Sequence, residues 1–198
     1  RLEMERITDV FMELKEEVDH VIVSPHWGHE RFRFPSPAQI EQAHRLIESG
    51  SSLVLGHHPH VLQGMEQTSN AAVVYSLGNF FPNHVYFDNG SALTWSRFER
   101  TGCILVAELG KDRLSSVRQV PVLDDGGIIH LDTSRHGRRV LDRANTYLKK
   151  GITWRRHQRE AFRVQRLKPI FNQLRWSRIR KLKTNDIRKA LRILLGKK

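Results

Sequence analysis

Residues 19–30, Asp19-His20-Val21-Ile22-Val23-Ser24-Pro25-His26-Trp27-Gly28-His29-Glu30, and residues 53–60, Leu53-Val54-Leu55-Gly56-His57-His58-Pro59-His60, decide the fold. Each carries a run of three branched apolar residues, short and unbroken by polar ones. That pattern predicts a strand covered on both faces, as in a parallel sheet. Pro25 has no N–H to give to a sheet ladder, so the first strand ends at Ser24-Pro25. Between the two runs, Pro35-Ser36-Pro37 opens a helix. Ser36 serves as its N-cap, and Pro37 sits in the first turn, where a missing N–H does no harm. Ile40, Ala43, His44 and Ile47 share one face, and Gly50 stands where a left-handed C-terminal cap belongs. Strand, helix and strand over residues 21–55 make a βαβ unit, so the two strands are expected parallel and adjacent. The fold class is therefore α/β.

Outward from this unit, Met4, Ile7, Val10, Phe11 and Leu14 form an apolar stripe at helical spacing with acidic residues between, predicting an amphipathic helix over residues 3–18. Further strands are expected at 72–76, 103–108 and 114–121, with Gly110-Lys111-Asp112 turning between the last two. Asp124-Asp125-Gly126-Gly127 is expected to be a turn or a linker. The single cysteine, Cys103, excludes an internal disulfide and is expected to be a small buried hydrophobe. No apolar run approaches the roughly 20 residues that span a bilayer. The chain starts at Arg1 without a leader-like segment, and is expected to be part of a longer product.

A net charge of +12 conceals two unlike parts. Residues 1–133 hold 11 Lys and Arg against 18 Asp and Glu, whereas residues 134–198 hold 22 against 3. Two domains with different tasks are expected, divided there. Beyond residue 134 the pattern is helical: Val140, Leu141, Ala144, Tyr147 and Leu148 form one stripe. Phe162, Leu167, Ile170, Phe171 and Leu174 form a looser one broken by Pro169, and Thr184 caps a last segment carrying Ile187, Ala190, Leu191 and Leu194. Trp154, Phe162, Phe171 and Trp176 alternate with Arg and Lys, which suits a solvated helical tail or contact with an anionic membrane surface or polymer. Nucleic acid is the less favoured partner, since no recognition motif accompanies the charge.

The chemistry lies after the two strands. In a covered α/β sheet, ligands bind beyond the carboxyl ends of the strands. Parallel strands open their loops on the same edge, so His26 is expected near His58 and His60. Neutral imidazole is the commonest biological metal ligand. The spacing of His58 and His60 across Pro59 lets both bend toward one ion or two adjacent ions. These three are the candidate metal ligands. The other histidines, such as His20, His44, His84, His130 and His136, are expected to be surface or core residues.

Three segments together carry a resemblance. Ser24-Pro25-His26-Trp27-Gly28-His29-Glu30, then Gly56-His57-His58-Pro59-His60-Val61-Leu62-Gln63-Gly64 with Glu66, then Tyr75-Ser76-Leu77-Gly78-Asn79-Phe80 resemble the CapA family, the bacterial poly-γ-glutamate capsule synthesis proteins. That family's domain is similar to the calcineurin-like metallophosphoesterases. The resemblance covers residues 15–125 or so and implies the C-terminal half of a metallophosphatase-like sandwich, followed here by the basic helical tail. It implies a role in capsule or exopolysaccharide synthesis at the cell envelope, as a metal-dependent hydrolase using two divalent ions, Mn, Zn or Fe. The partners implied are an anionic polymer or its precursor and the capsule machinery.

By the same resemblance His26, His58 and His60 hold metal, and His26 and Glu30 act in catalysis, with a non-ligating histidine or Glu30 as the proton donor to the leaving group. Trp27, Glu66, Ser76 and Asn79 are placed at the substrate, while His29 and His57 are left out of the ligand set. The family's remaining ligands, Asp, Glu, Asn and His, come from the first half of the domain. No Gly-Asp or Asn-His pair precedes residue 19 here. The enzyme reading is therefore expected to need sequence outside this chain. The alternative is a non-catalytic accessory or polymer-binding protein with an incomplete metal site.

Overall fold

The computed structural model describes residues 4–14, 16–82, 85–90 and 92–168. The chain divides into two compact units between Thr153 and Trp154.

The first unit is α/β. Helix α1 (Met4–Leu14) leads into strand β1 (Val21–Val23), helix α2 (Pro37–Glu48) and strand β2 (Ser51–Leu55). Strands β3 (Met65–Gln67) and β4 (Ala72–Val74) complete a four-stranded sheet in the order β1-β2-β4-β3. β1, β2 and β4 run parallel, and β3 returns antiparallel on β4. The βαβ unit expected from residues 21–55 is present. α2 starts with a full capping box: Ser36 Oγ accepts from Gln39 N, and Gln39 Oε1 accepts from Ser36 N.

Alternation along β2 divides the core. Val54 packs with Phe11, Val21, Ala43, Leu46 and Val73 on the helix side. Leu53 and Leu55 face the other way, toward Leu105, Leu114 and Val117 of a second sheet. That sheet is antiparallel: β7 (Thr101–Leu109), β8 (Leu114–Asp124) and β9 (Ile129–Leu131). A two-stranded ribbon, β5 (Val85–Tyr86) with β6 (Ala92–Leu93), precedes it. Helices, sheet and second sheet stack as a partial α/β sandwich. Asp124-Asp125-Gly126-Gly127 proves to be the β8–β9 hairpin turn, closed by Asp125 N donating to Ile128 O at 2.9 Å, and not a linker.

Two details differ from the sequence pattern. Ile22 is 51% exposed, because β1 lies at the sheet edge and only Val21 is fully covered. Helix α3 (Arg135–Lys149), expected in the basic tail, packs within the first unit. Val140 and Leu141 are buried against Leu62 and Cys103, and Asn145 Oδ1 accepts from Met65 N at 2.8 Å. Its charge is confined to the outward face.

In the second unit, α4 (Trp154–Phe162) passes into a π-helical turn, Arg163–Leu167. Glu160 and Arg163 pair at 2.6 Å across it. The stripe from Ile170 onward and the segment capped by Thr184 lie outside the described residues. No helix among the described residues is long and apolar enough to cross a membrane.

Candidate metal centre

Three loops leave the carboxyl ends of β1, β2 and β4 on one edge, and backbone hydrogen bonds hold them side by side. His57 N donates to Pro25 O at 2.9 Å and Trp27 N to His57 O at 3.2 Å, so the β1–β2 pairing continues past both strands. Leu77 N donates to Gly56 O at 3.1 Å, which ties the third loop to the second. Arg31 N reaches Pro59 O at 2.7 Å. The convergence expected of the two histidine loops is thus set by main chain before any side chain is considered.

On this frame His58 Nδ1 lies 3.0 Å from His26 Nε2, with ring centroids 4.7 Å apart. The His58 and His60 rings are 6.2 Å apart. Glu30, His58 and His60 each turn one ligand atom inward, all within 4.8 Å of one another. Glu30 thus stands with the imidazoles in a way that charge and spacing alone did not require. His58 (φ 93) and His60 (φ 57) both hold positive-φ backbone, uncommon outside glycine.

Electrostatics favour the neutral form of His58. Burial, then the neighbouring His26, hold the His58 imidazole below its ordinary pKa, although Glu30 works against them. Burial and His26 act the same way on His57. His58 Nδ1 and His26 Nε2 stand 3.0 Å apart, within hydrogen-bond distance of each other. Imidazole nitrogens with one carboxylate are a donor set for a borderline divalent ion.

Asn79 fixes His60. Its Nδ2 donates to His60 O at 3.2 Å and to Glu99 O at 2.9 Å, so Oδ1 must be the atom 2.8 Å from His60 Nδ1. His60 Nδ1 therefore carries the proton, and Nε2 presents its lone pair. Asn79, expected at the substrate, hydrogen-bonds one of the clustered histidines.

The other expected substrate residues stand elsewhere. Trp27 is 7% exposed and its Nε1 donates to Tyr75 O at 3.0 Å, over Gly56. A Cβ on Gly56 would sit 2.5 Å from that Nε1 and 2.1 Å from Tyr75 O, so glycine is required there. Trp27 is a core residue, driven inside by its size and satisfied by one carbonyl. Ser76 is buried, with Oγ accepting from Gly78 N at 3.2 Å to shape the turn before Asn79. Glu66 is spent on His44 Nε2 at 2.8 Å and Tyr75 OH at 3.1 Å, away from the histidine loops.

Trp95, Arg31, Ser96 and Glu99 were missed in the sequence. Trp95 lies beside His60, tilted by 37° at 5.3 Å, and under the Arg31 guanidinium at 5.7 Å. Glu99, 3% exposed, pairs with Arg31 at 3.1 Å and accepts from Ser96 N and Oγ at 2.9 and 2.6 Å. The spacing Ser96-x-x-Glu99 is a capping-box signature that could have marked this turn.

The family model of the bacterial capsule synthesis protein PGA_cap matches residues 2–84. Capsule biosynthesis protein CapA of Bacillus anthracis is 40% identical over 83 residues, 42% of this chain and 18% of that protein. PGA biosynthesis protein CapA of Bacillus subtilis (strain 168) is 33% identical over 110 residues, 56% of this chain and 26% of that protein. An uncharacterized protein of Sinorhizobium fredii is 47% identical over 47 residues, 23% of this chain and 10% of that protein. The matched stretches thus span about a quarter or less of these relatives.

Proposed function

We propose that the protein, whose residues 2–84 match the family model of the bacterial capsule synthesis protein PGA_cap and which is similar to the CapA proteins of Bacillus, serves capsule or exopolysaccharide synthesis at the cell envelope, through a metal-dependent hydrolytic site built on His26, His58, His60 and Glu30. The observation that carries this is the meeting of the Glu30, His58 and His60 ligand atoms within 4.8 Å, with His26 Nε2 at 3.0 Å from His58. A divalent ion held by these groups would supply Lewis acidity toward the bond attacked and acidify the attacking water. A second ion needs donors from outside these residues.

The chain's own groups have separable tasks. His58 and His60 both sit on strained backbone, and Asn79 holds His60, which keeps that ring aimed without reorganisation. Glu30 is exposed at the rim of the cluster. Once not ligating, it is placed to give a proton to a leaving group within hydrogen-bond reach. The substrate is an anionic capsule polymer or its precursor. The cationic segment 134–198 suits the same polymer, or the anionic membrane where it is made, by charge.

The test is metal content. Protein equilibrated with Mn²⁺ or Zn²⁺ and desalted is expected to retain stoichiometric metal, and the His58→Ala, His60→Ala double variant to lose it. Equal metal in both proteins refutes the site. The accessory reading predicts the same metal loss, but no change in polymer cleavage by the full-length protein when the two histidines are removed.

A further inference from the structure

Helix α3 belongs to the first unit, and one side of it meets the loops around the histidine cluster. His136, Arg139, Arg143 and Tyr147 are spaced three and four residues apart and so share that side. Contacts fix both ends of this row. His136 Nε2 lies 3.2 Å from Thr101 Oγ1, which donates to Arg97 O at 2.9 Å. The Tyr147 ring lies 5.4 Å from that of Phe34 and has the Arg33 guanidinium over it, also at 5.4 Å. Each end leads back to the cluster. Arg97 is two residues from Trp95, whose ring stands 5.3 Å from His60, and Arg33 is three residues from Glu30. We infer that Arg97, Arg139, Arg143 and Arg33 form a cationic track along α3 that binds a linear polycarboxylate beside the histidine cluster. As a binding site the track stands alone; as a substrate site it rests on the reading of that cluster as a reaction centre.

The charge on this side is uncommitted. Arg97, Arg139 and Arg143 are exposed, and none forms an ion pair with another described residue. Their field reaches into the fold. Burial first, then Arg97, with Arg143 adding to it, hold the His136 imidazole below its ordinary pKa against the pull of Asp132. The opposite flank of α3 differs. There Arg135 and Arg138 line a cavity of about 610 Å³ together with Asp132 and Asp142, so cations and carboxylates offset one another. A polyanion is drawn to the first flank rather than the second.

Spacing points to the class of anion. Arg139 and Arg143 are four residues apart, which is about 6 Å along a helix. An extended polypeptide advances about 3.5 Å for its three backbone bonds per residue, so carboxylates that recur every five backbone bonds, as in a γ-linked glutamate chain, stand about 6 Å apart. One carboxylate then meets each arginine, and a guanidinium fork takes a carboxylate through two parallel hydrogen bonds. A lipid surface fits less well. No large apolar side chain of α3 is exposed, so the helix offers a bilayer charge but nothing to bury.

The experiment is a titration of the whole chain with a γ-linked glutamate decamer, at low ionic strength in buffer with EDTA, read by calorimetry. The parent is expected to bind, and the Arg139→Gln, Arg143→Gln double variant to bind about tenfold more weakly, consistent with two lost charge pairs. Arg155→Gln, Arg159→Gln removes the same charge from α4 and is expected to cost about twofold at most, through long-range attraction alone. The His136 ring, followed by NMR against pH, is expected to titrate higher in the saturated protein, because bound carboxylates offset Arg97 and Arg143. No binding by the parent, equal losses in the two double variants, or a His136 titration that the decamer leaves in place overturns the track. So does a loss confined to vesicles of phosphatidylcholine and phosphatidylglycerol, with decamer binding intact, which would make α3 a membrane contact. Metal content after Mn²⁺ or Zn²⁺ loading is read separately, so a chain that binds the decamer but no metal sinks the reaction centre and leaves the track.

Discussion

His58 and His60 hold backbone that L-residues avoid, at φ 93 and φ 57, and that choice marks the site more sharply than their mere number. Strain of this kind costs about 1–3 kcal/mol per residue and persists where the surroundings impose it. Here the imposing contacts are Pro25 O, Gly56 O and Pro59 O, each taking a main-chain hydrogen bond from a neighbouring loop. His58→Gly removes the strain at φ 93 while adding freedom to the unfolded chain, and the balance favours the variant. Metal-free His58→Gly protein is expected to be about 1 kcal/mol more stable in urea than its parent, yet to retain less metal. A variant that is both less stable and fully metal-loaded would show that His58 is there for packing. The side-chain roles were the least legible part of the sequence. The resemblance placed Trp27 and Glu66 at the substrate, but Trp27 is buried over Gly56 and Glu66 is held by a local partner, His44.

Among the elements, α2 was the most legible, because its capping box, its Pro37 start and its apolar face are all local in sequence. Short strands were the least. β3, β5, β6 and β9 have two or three residues each and exist only through partners that pattern cannot supply. α3 shows a further limit: its charge assigned it to the tail, while its buried stripe of Val140, Leu141 and Ala144 places it with the first unit.

The start of α3 is also where acid should act. Burial and the nearby Arg97, with Arg143, hold the His136 imidazole below its ordinary pKa, though Asp132 opposes them. Its Nε2 lies 3.2 Å from Thr101 Oγ1, whose proton goes to Arg97 O, so His136 is the donor there. Burial works to raise the Asp132 carboxyl, but hydrogen bonds from Ser134 and Gly137, with His136 nearby, hold it below the ordinary value. For both groups the unfolded chain takes up protons first. Stability therefore falls as pH drops below about 6.5 through histidine and again below about 4 through Asp132. The His57 and His58 shifts act in the same direction. Urea midpoints measured from pH 7 to 5 are expected to decline, and His136→Gln, which keeps an N–H donor but cannot titrate, to decline less. An identical slope in the variant would remove His136 from this account.

At the scale of the molecule, the division falls between Thr153 and Trp154, twenty residues beyond the charge step. Truncation after residue 153 is expected to leave a protein that unfolds cooperatively. Truncation after residue 133 is expected to lose it, because Leu62, Cys103 and Met65 N would be left without Val140, Leu141 and Asn145. A loss of several buried apolar side chains costs about 2–5 kcal/mol each, as much as a small domain's whole stability. Circular dichroism with urea on the two truncated chains checks this. Two equally cooperative proteins would show that α3 is dispensable.

By itself the sequence determined the α/β class, the parallel β1–β2 pair and the edge on which His26, His58 and His60 meet, because strand direction and loop position follow from the order of elements along the chain. Tertiary structure decided which polar groups around them remain available. That depends on who else arrives: Glu30 at the cluster, Asn79 at the back of His60, Trp95 from beyond the ribbon, and Tyr75 to take the indole of Trp27. A side chain's chemistry is written in its residue type, but whether that chemistry is spent inside the fold or left facing a ligand is fixed only when distant segments close around it.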